Sequence, residues 1–133
     1  MAYVARFKSL GLIAEISLRD DQDQERAFVR QKLWALGANY GIYREGRLWV
    51  TLKRTFSLSV RDHFTVSEGE LDVLEIFCKI IDEGFEFYRS GTAVAAVARK
   101  HLTWNDKMEI RVAEAEDEVL ILVCTLVVYS VYH

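Results

Sequence analysis

The sequence predicts a mostly β protein: an antiparallel meander of repeated hairpins, arranged as a barrel or a sandwich, with a hydrophobic C-terminal segment. Three observations support this fold class. Short β-prone runs alternate with regularly spaced glycines, proline is absent from the chain, and the C-terminal end is almost continuously apolar. The 133 residues have a mass of 15.4 kDa, so residues 1–133 are predicted to form a single domain. With 51% hydrophobic and 28% charged residues, the composition excludes a disordered, collagen-like or coiled-coil chain.

The repeat is carried by three glycines, Gly46, Gly69 and Gly91, at spacings of 23 and 22 residues. Each glycine separates two β-prone runs, as residues 42–45 and 48–52 show for the first of them. A glycine in the third position of a three-residue loop adopts the left-handed conformation that closes a type I turn with a G1 bulge. Each unit is therefore predicted to be a strand, a tight turn and a second strand.

The units also resemble one another outside the turns. Residues 53–58 followed by 62–66 match residues 99–104 followed by 106–110, because each set has a basic pair, a short apolar connection and a new strand. Phe64 and Val66 show the period of two that half-buried strands require. The strands predicted in this way cover residues 3–7, 12–18, 26–32, 39–44, 48–55, 62–67, 70–79, 84–89, 92–100 and 107–113.

Segment 68–82 has two interpretations. It begins with a capping-box sequence and carries apolar residues at helical spacing, which favours a helix. The repeat favours a strand, because Gly69 and Leu71 hold the places that Gly46 and Leu48 hold in the preceding unit. We follow the repeat and predict a strand.

Segment 117–132 is equally open from its own residues. Its many β-branched side chains favour a strand, whereas Asp117 is a suitable N-cap and the preceding acids suit a helix N-terminus. A segment that is apolar on every side suits a buried element of either type. As a helix, its apolar run would span about 21 Å, which is shorter than the roughly 30 Å core of a bilayer. We therefore expect a buried element and no transmembrane segment.

The charge is distributed unevenly along the chain. Residues 26–61 contain eight basic residues against one acidic residue, whereas the remainder has a net charge of −10. This asymmetry is compatible with a patch that faces a polyanion, and also with basic and acidic strands that are neighbours in the sheet. Basic residues at strand edges also prevent edge pairing. The candidate site is a basic barrel rim for anionic phospholipid headgroups, formed by Arg44, Arg47, Lys53, Arg54, Arg99 and Lys100.

Catalytic and metal-binding motifs were not found in the sequence. His63, His101 and His133 have no Cys, His or carboxylate at metal-ligand spacing, and nucleotide-binding and hydrolase motifs are absent. Asp62 and His63 are adjacent on one predicted strand and point to opposite faces, which argues against a triad. We therefore expect no enzyme activity, no catalytic residue, no cofactor and no metal.

Two further residue types were considered for function. Cys78 and Cys124 lie in apolar runs and are interpreted as packing thiols in a reducing compartment. Trp49, between Arg47 and Lys53, is the best position for stacking on a nucleic-acid base. The overall pI of about 5.6 argues against nucleic acid as a partner.

Residues 28–43 resemble the opening of LURP-one-related domains, which belong to the tubby C-terminal-like superfamily together with phospholipid scramblases. The similarity continues through residues 56–58, 62–66, 68–71 and 103–107, and it covers roughly residues 26–132. It implies an antiparallel β-barrel around a hydrophobic C-terminal helix, which favours the helical interpretation of 117–132. Tubby-type members bind phosphoinositides, but their binding residues do not map onto a motif in this chain, so no site is transferred.

The function expected from these observations is a non-enzymatic binding or scaffold module. A protein partner is favoured, and peripheral binding of anionic phospholipid headgroups through the basic rim is the alternative. No secretory signal is recognised, because Lys8, Glu15 and Arg19 interrupt the first 20 residues. The expected location is cytoplasmic, with peripheral attachment to a membrane under the lipid-binding alternative.

Overall fold

Ten strands followed by one helix make up the residues that the structure, a computed structural model, describes: 3–10, 13–31, 39–55, 63–78, 84–102 and 105–132. The strands are β1 (Tyr3–Leu10), β2 (Ile13–Asp20), β3 (Glu25–Gln31), β4 (Asn39–Arg44), β5 (Arg47–Thr55), β6 (His63–Glu68), β7 (Leu71–Cys78), β8 (Phe85–Arg89), β9 (Thr92–Leu102) and β10 (Asn105–Val112), and the helix is α1 (Glu118–Tyr132). The predicted mostly β fold with a C-terminal element is confirmed. Segment 68–82 contains strand β7, and segment 117–132 is the helix. The predicted strand ends at residues 12, 32, 62 and 79 lie outside the described residues.

The strands form one antiparallel sheet in which each strand pairs with its neighbours in the chain, in the order β1 to β10. The sheet curls around α1, but it does not close into a complete barrel. In the described strands, β1 pairs only with β2 and β10 pairs only with β9. A gap between β1 and β10 therefore interrupts the expected barrel.

The core lies between the inner face of this sheet and the helix. Alternate strand residues, such as Ile42, Leu52 and Phe64, are fully buried, as are Ile121 and Val123 of α1. A helix satisfies its own backbone N–H and C=O groups, whereas a lone strand inside the sheet would bury them without partners. This requirement overrides the strand propensity of the β-branched residues. Each fully buried side chain of this size contributes about 1.5–3 kcal/mol.

The glycine turns reverse the chain as predicted, but the loops are shorter than expected. Glu45 and Gly46 have φ values of 53° and 77°, and Ser90 and Gly91 have 51° and 79°. Two successive positive φ angles define two-residue type I′ turns, so the predicted three-residue loops are wrong here. The turn at Gly69 also has two residues, with glycine first, because Glu68 pairs with Leu71.

The pairing of β6 with β7 shows that Leu71 is not equivalent to Leu48, although the repeat had predicted this equivalence. Leu71 follows its two-residue loop directly, as Arg47 does in the preceding hairpin. Leu71 is therefore equivalent to Arg47 and not to Leu48. The glycine signal placed the turn correctly, but it placed the following strand one residue out of register.

The three-residue loop predicted for the glycine turns occurs instead between β2 and β3, in a turn that contains no glycine. Asp23 has a φ of 58°, and the Asp20 N–H donates to the Gln24 carbonyl at 3.0 Å across the turn. The Asp20 carboxylate accepts hydrogen bonds from the N–H groups of Gln22 and Gln24, both at 3.0 Å. One left-handed residue from each turn thus belongs to a regular series: Asp23, Gly46, Gly69 and Gly91.

Each of these four turns is followed by a β-bulge, which lies at the third residue after the loop. The unpaired residues are Arg26, Trp49, Val73 and Val94. Bulges increase the local twist of a strand pair and redirect one side chain, so four of them curl this end of the sheet around the start of α1. We call this region, formed by residues 20–24, 44–47, 68–71, 89–92 and the helix start at Asp117, the hairpin end.

Candidate functional site

The hairpin end attaches the first turn of α1 to the sheet through charged side chains. Asp117 caps the helix, because its Oδ1 accepts hydrogen bonds from the N–H groups of Val119 and Leu120 at 3.0 and 3.3 Å. Its Oδ2 lies 3.7 Å from Nη1 of Arg44. The Arg44 guanidinium in turn lies 4.0 Å from the centre of the Trp49 ring. One carboxylate therefore links the helix start to the β4–β5 hairpin.

A second link joins the helix start to the β8–β9 hairpin. Arg89 donates from Nε and Nη2 to the two carboxylate oxygens of Glu116, at 2.8 and 2.9 Å. These hydrogen bonds hold the pKa of Glu116 below its usual value and raise the pKa of Arg89. Two-pronged pairs of this kind are among the stronger charged contacts in proteins.

The hairpin end also contains a polar cavity of about 530 Å³, and this cavity is the first candidate binding site. Both of its arginines already face carboxylates: Arg44 faces Asp117, and Arg26 lies 3.5 Å from Asp20. Backbone hydrogen bonds, first of all from Gln24, lower the pKa of Asp20, and Arg26 adds to the effect. An anionic ligand would meet no uncompensated charge here, so we interpret the cavity as structural. Its lining consists of Gln24, Glu25, Arg26, Arg44, Glu45, Trp49, Asp117 and Val119.

The structure separates the six predicted rim residues. Arg44 and Arg47 pair across the hairpin end, whereas Lys53 and Arg54 lie toward the other end of β5, about 20 Å away at roughly 3.3 Å per residue. Because β5 and β9 run in the same direction in this antiparallel meander, Arg99 and Lys100 lie at the same end of the sheet as Lys53 and Arg54. The side chains of Arg99 and Lys100 are outside the described part of the structure. Lys53 is exposed and Arg54 is half-buried.

The residues considered for catalysis occupy packing positions where they are described. His63 stacks on Phe77 with ring centres 4.5 Å apart, and its Nε2 lies 4.0 Å from Glu75. Cys124 is fully buried, and this burial raises the pKa of its thiol. Within the described ranges, no group of three or more His, Cys, Asp or Glu residues could hold a metal ion. His133, Asp62 and the side chain of His101 lie outside those ranges.

The alternative of a membrane anchor concerns the apolar helix α1. None of the helices in the described part of the chain is long and apolar enough to cross a membrane.

A different kind of surface lies on the side of the molecule where the sheet is interrupted. Leu122 and Leu126 of α1 are only partly buried, whereas Ile121, Val123 and Val127 are completely buried. Leu122 and Leu126 lie on one face of the helix, four residues apart. Fully buried residues lie before and after both leucines in the helix, so their partial exposure is at the side of the helix and not at its end. Ser130, one turn further along the same face, lines a cavity together with Phe7 of β1, so this face of the helix is directed toward one edge of the gap between β1 and β10.

Strand β1 supplies an apolar wall to this gap. Phe7 pairs with the buried Ile16 and so lies on the inner face of the sheet, yet it is 57% exposed. Beside it is a cavity of about 200 Å³, lined by Phe7, Lys8, Glu15, Ile16, Val29, Tyr40 and Ser130. On the opposite wall, Ile110 and Val112 of β10 are partly buried against the core. We call this surface, formed by Phe7, Leu122, Leu126, Ile110 and Val112 between two strand edges, the seam.

The sequence analysis did not identify the seam. The alternation of Tyr3, Ala5 and Phe7 signals a strand with an inner face, but it does not show whether another strand covers that face. The family resemblance implied a barrel, in which the inner face of the first strand would be covered.

Comparison of the chain with known protein families gives a match over most of its length. The family model described as LURP-one-related matches residues 2–129, which is nearly the whole chain. No curated protein and no solved structure matches the chain. The ten-stranded sheet around a C-terminal helix and this match lead to one conclusion: the chain belongs to the LURP-one-related family.

Proposed function

We propose that this protein is a non-enzymatic binding module that engages a protein partner at the seam. One observation carries the proposal: the exposed Phe7 lies on the inner face of β1, an edge strand with no second partner strand in the described sheet, and Leu122 and Leu126 of the helix are only partly buried. Exposed edges present unpaired N–H and C=O groups and are templates for another strand. Binding by strand addition uses these backbone groups for affinity and side-chain contacts for specificity.

The length of the edge supports this mode of binding. Strand β1 has eight residues, and typical strands have about five or six. In an antiparallel arrangement, alternate residues direct both backbone groups toward the same side. An added strand could therefore form hydrogen bonds with about four residues of β1 while its inward side chains cover Phe7.

The charged groups elsewhere support a binding role over catalysis. The Asp20 and Glu116 carboxylates, which each accept at least two hydrogen bonds, hold a turn and the helix start in place. The Cys124 thiol is enclosed by the core. These groups stabilise the scaffold that presents the seam.

The proposal is tested with an extended peptide of eight residues that alternates valine and threonine and carries a fluorescent label. We expect saturable binding to the full chain in fluorescence anisotropy. The Phe7→Ser variant should bind about fivefold more weakly, because the loss of apolar contact is on the order of 1 kcal/mol. Leu71→Ser is the matched control, since Leu71 is also an exposed apolar residue, 73% accessible, but lies at the hairpin end.

Two outcomes would contradict the proposal. Absence of peptide binding to the wild-type chain would exclude strand addition at the seam. Equal weakening by Phe7→Ser and Leu71→Ser would show that the peptide binds through exposed apolar residues in general.

A second candidate function is binding of anionic phospholipid headgroups, and it is favoured by one observation. The basic pairs Lys53–Arg54 and Arg99–Lys100 lie toward the same end of β5 and β9. Each basic residue near an anionic surface contributes about 1 kcal/mol, so four of them would support weak attachment.

This candidate is tested by sedimentation with phosphatidylcholine vesicles, with and without phosphatidylserine. Binding only to the anionic vesicles, reduced by Lys53→Glu and unchanged by Arg47→Glu at the hairpin end, would support it. Failure to sediment with anionic vesicles at low salt would exclude it.

A further inference from the structure

We infer that the seam accepts an extended acidic segment of a partner protein, which adds to β1 as an eleventh strand. This inference rests on the proposed function and specifies the chemistry of the partner. It begins with the two faces of β1. Ala5 and Phe7 pair with the buried residues Leu18 and Ile16, which places them on the inner face. Because side chains alternate along a strand, the intervening Arg6 and Lys8 lie on the outer face.

The outer face of β1 carries uncompensated positive charge. Strand β1 contains Arg6 and Lys8 and no acidic residue, and both side chains are exposed. Arg6 pairs in register with the uncharged Ser17. Lys8 pairs with Glu15, but that carboxylate also lies 3.6 Å from Nε of Arg30. Among the described residues, neither Arg6 nor Lys8 forms an ion pair, in contrast to the arginines of the hairpin end.

The two faces of β1 predict which kinds of residue an added partner strand would carry at each position. Residues directly opposite each other in neighbouring antiparallel strands share one face of the sheet. Positions of the partner opposite Ala5 and Phe7 would therefore face inward and cover the apolar seam. Positions opposite Arg6 and Lys8 would face outward beside two cations. The complementary segment alternates apolar and acidic residues.

The opposite edge of the gap is a weaker match for such a segment. On β10, Arg111 donates from Nε to the Glu109 carboxylate at 3.1 Å, so these two charges compensate each other. Strand β10 as a whole contains two acidic and two basic residues. Its edge therefore provides no net attraction for an acidic strand, and β1 is the expected docking edge.

Charge also argues against a second copy of this chain as the occupant. Antiparallel pairing of two β1 strands about a two-fold axis would bring Arg6 and Lys8 of one copy near the same residues of the other. Like charges in neighbouring positions across a strand pair are destabilising. An acidic partner replaces this repulsion with attraction.

The inference is tested with three labelled eight-residue peptides that alternate valine with glutamate, threonine or lysine. At low salt we expect the glutamate peptide to bind best and the lysine peptide to bind at least about tenfold more weakly, since each of two opposite-charge pairs changes affinity by about two- to fivefold. The difference should shrink as salt is added, because these charges are exposed. The double variant Arg6→Glu/Lys8→Glu should reverse the order of the peptides.

The controls assign the effect to β1. The double variant Arg47→Glu/Lys53→Glu changes the net charge by the same amount on β5 and should leave the order unchanged. Hydrogen exchange with the glutamate peptide bound should show new protection in residues 3–8 and none in residues 105–112.

The remaining outcomes separate this inference from the proposed function. Binding of the threonine peptide without any preference for glutamate over lysine would overturn the acidic partner and leave the seam as a binding site. New protection confined to β10 would overturn the choice of edge. A dimer of the free chain whose formation protects residues 3–8 from hydrogen exchange would show that the occupant is a second copy.

Discussion

The hairpin end and the seam use the same kinds of residue in opposite ways. At the hairpin end, Arg44 and Arg89 each face a carboxylate at the start of the helix. At the seam, apolar side chains such as Phe7 remain exposed, and on the outer face of the neighbouring strand β1, Arg6 and Lys8 form no ion pair among the described residues. Groups whose interactions are satisfied within the chain stabilise the fold, whereas groups left unsatisfied are available to a partner. The presence of basic residues therefore does not identify a binding surface, because such residues can form ion pairs within the fold.

The largest difference between the two environments should appear within the helix itself. Ile121 is completely buried, whereas its neighbour Leu122 is partly exposed in the seam. We expect Ile121→Ala to lower the free energy of unfolding by about 3 kcal/mol and Leu122→Ala to lower it by only about 1 kcal/mol. Urea denaturation of the two variants measures both values. Equal losses would show that the leucine stripe does not face an opening.

The turns of the hairpin end should depend on backbone conformation more than on packing. Gly91 has a φ of 79°, and a Cβ atom placed there meets nothing within 4 Å. Gly91→Val should therefore destabilise the protein by about 1–2 kcal/mol through left-handed backbone strain alone. Gly91→Asn is the control and should have a smaller effect, because asparagine tolerates this conformation. Thermal denaturation that ranks the two variants in the reverse order would contradict the type I′ turn.

The Arg89–Glu116 pair should make a smaller and pH-dependent contribution. Glu116→Gln is expected to destabilise the protein by about 1 kcal/mol at neutral pH, because Arg89 is partly exposed to solvent. The pKa of Glu116 is lowered in the folded state, so its contribution is present above the unfolded value, near pH 4.3, and is lost as the pH falls through the lower folded value. Urea titrations between pH 3 and pH 7 should show the wild type and variant converging at the acid end. Glu114→Gln removes a different, exposed carboxylate without changing this pair, and it is the control for the loss of one negative charge.

The smallest effect on stability is expected in the seam. Phe7→Ser and Leu71→Ser should each change the free energy of unfolding by less than about 1 kcal/mol, because both side chains are more exposed than buried. Only the first variant should weaken peptide binding. A loss of more than about 2 kcal/mol for Phe7→Ser would show that Phe7 belongs to the core and that the seam is not an open surface.

Much of the secondary structure was predictable because its causes are local. The period of two in residues 63–68 and the positive φ angles at Gly46 and Gly91 arise within a few residues of each position. Asp23 was missed for a related reason: it takes the left-handed conformation without being a glycine, in a turn held by hydrogen bonds from the Gln22 and Gln24 N–H groups to the Asp20 carboxylate. The one-residue error at Leu71 arose because a glycine occupies either position of a two-residue loop.

The amino-acid pattern by itself determined the succession of ten strands and the apolar character of the final segment, since alternation, turn residues and hydrophobicity act over short distances. Tertiary structure decided three other features: the final segment is a helix, the sheet stops short of closure, and the six rim residues separate into two groups. Pairing between successive strands is local, but closure depends on twist accumulated over the whole sheet and on bulges at Arg26, Trp49, Val73 and Val94. Each bulge shifts the register by one residue, and nothing in the local pattern of apolar and polar residues specifies that shift.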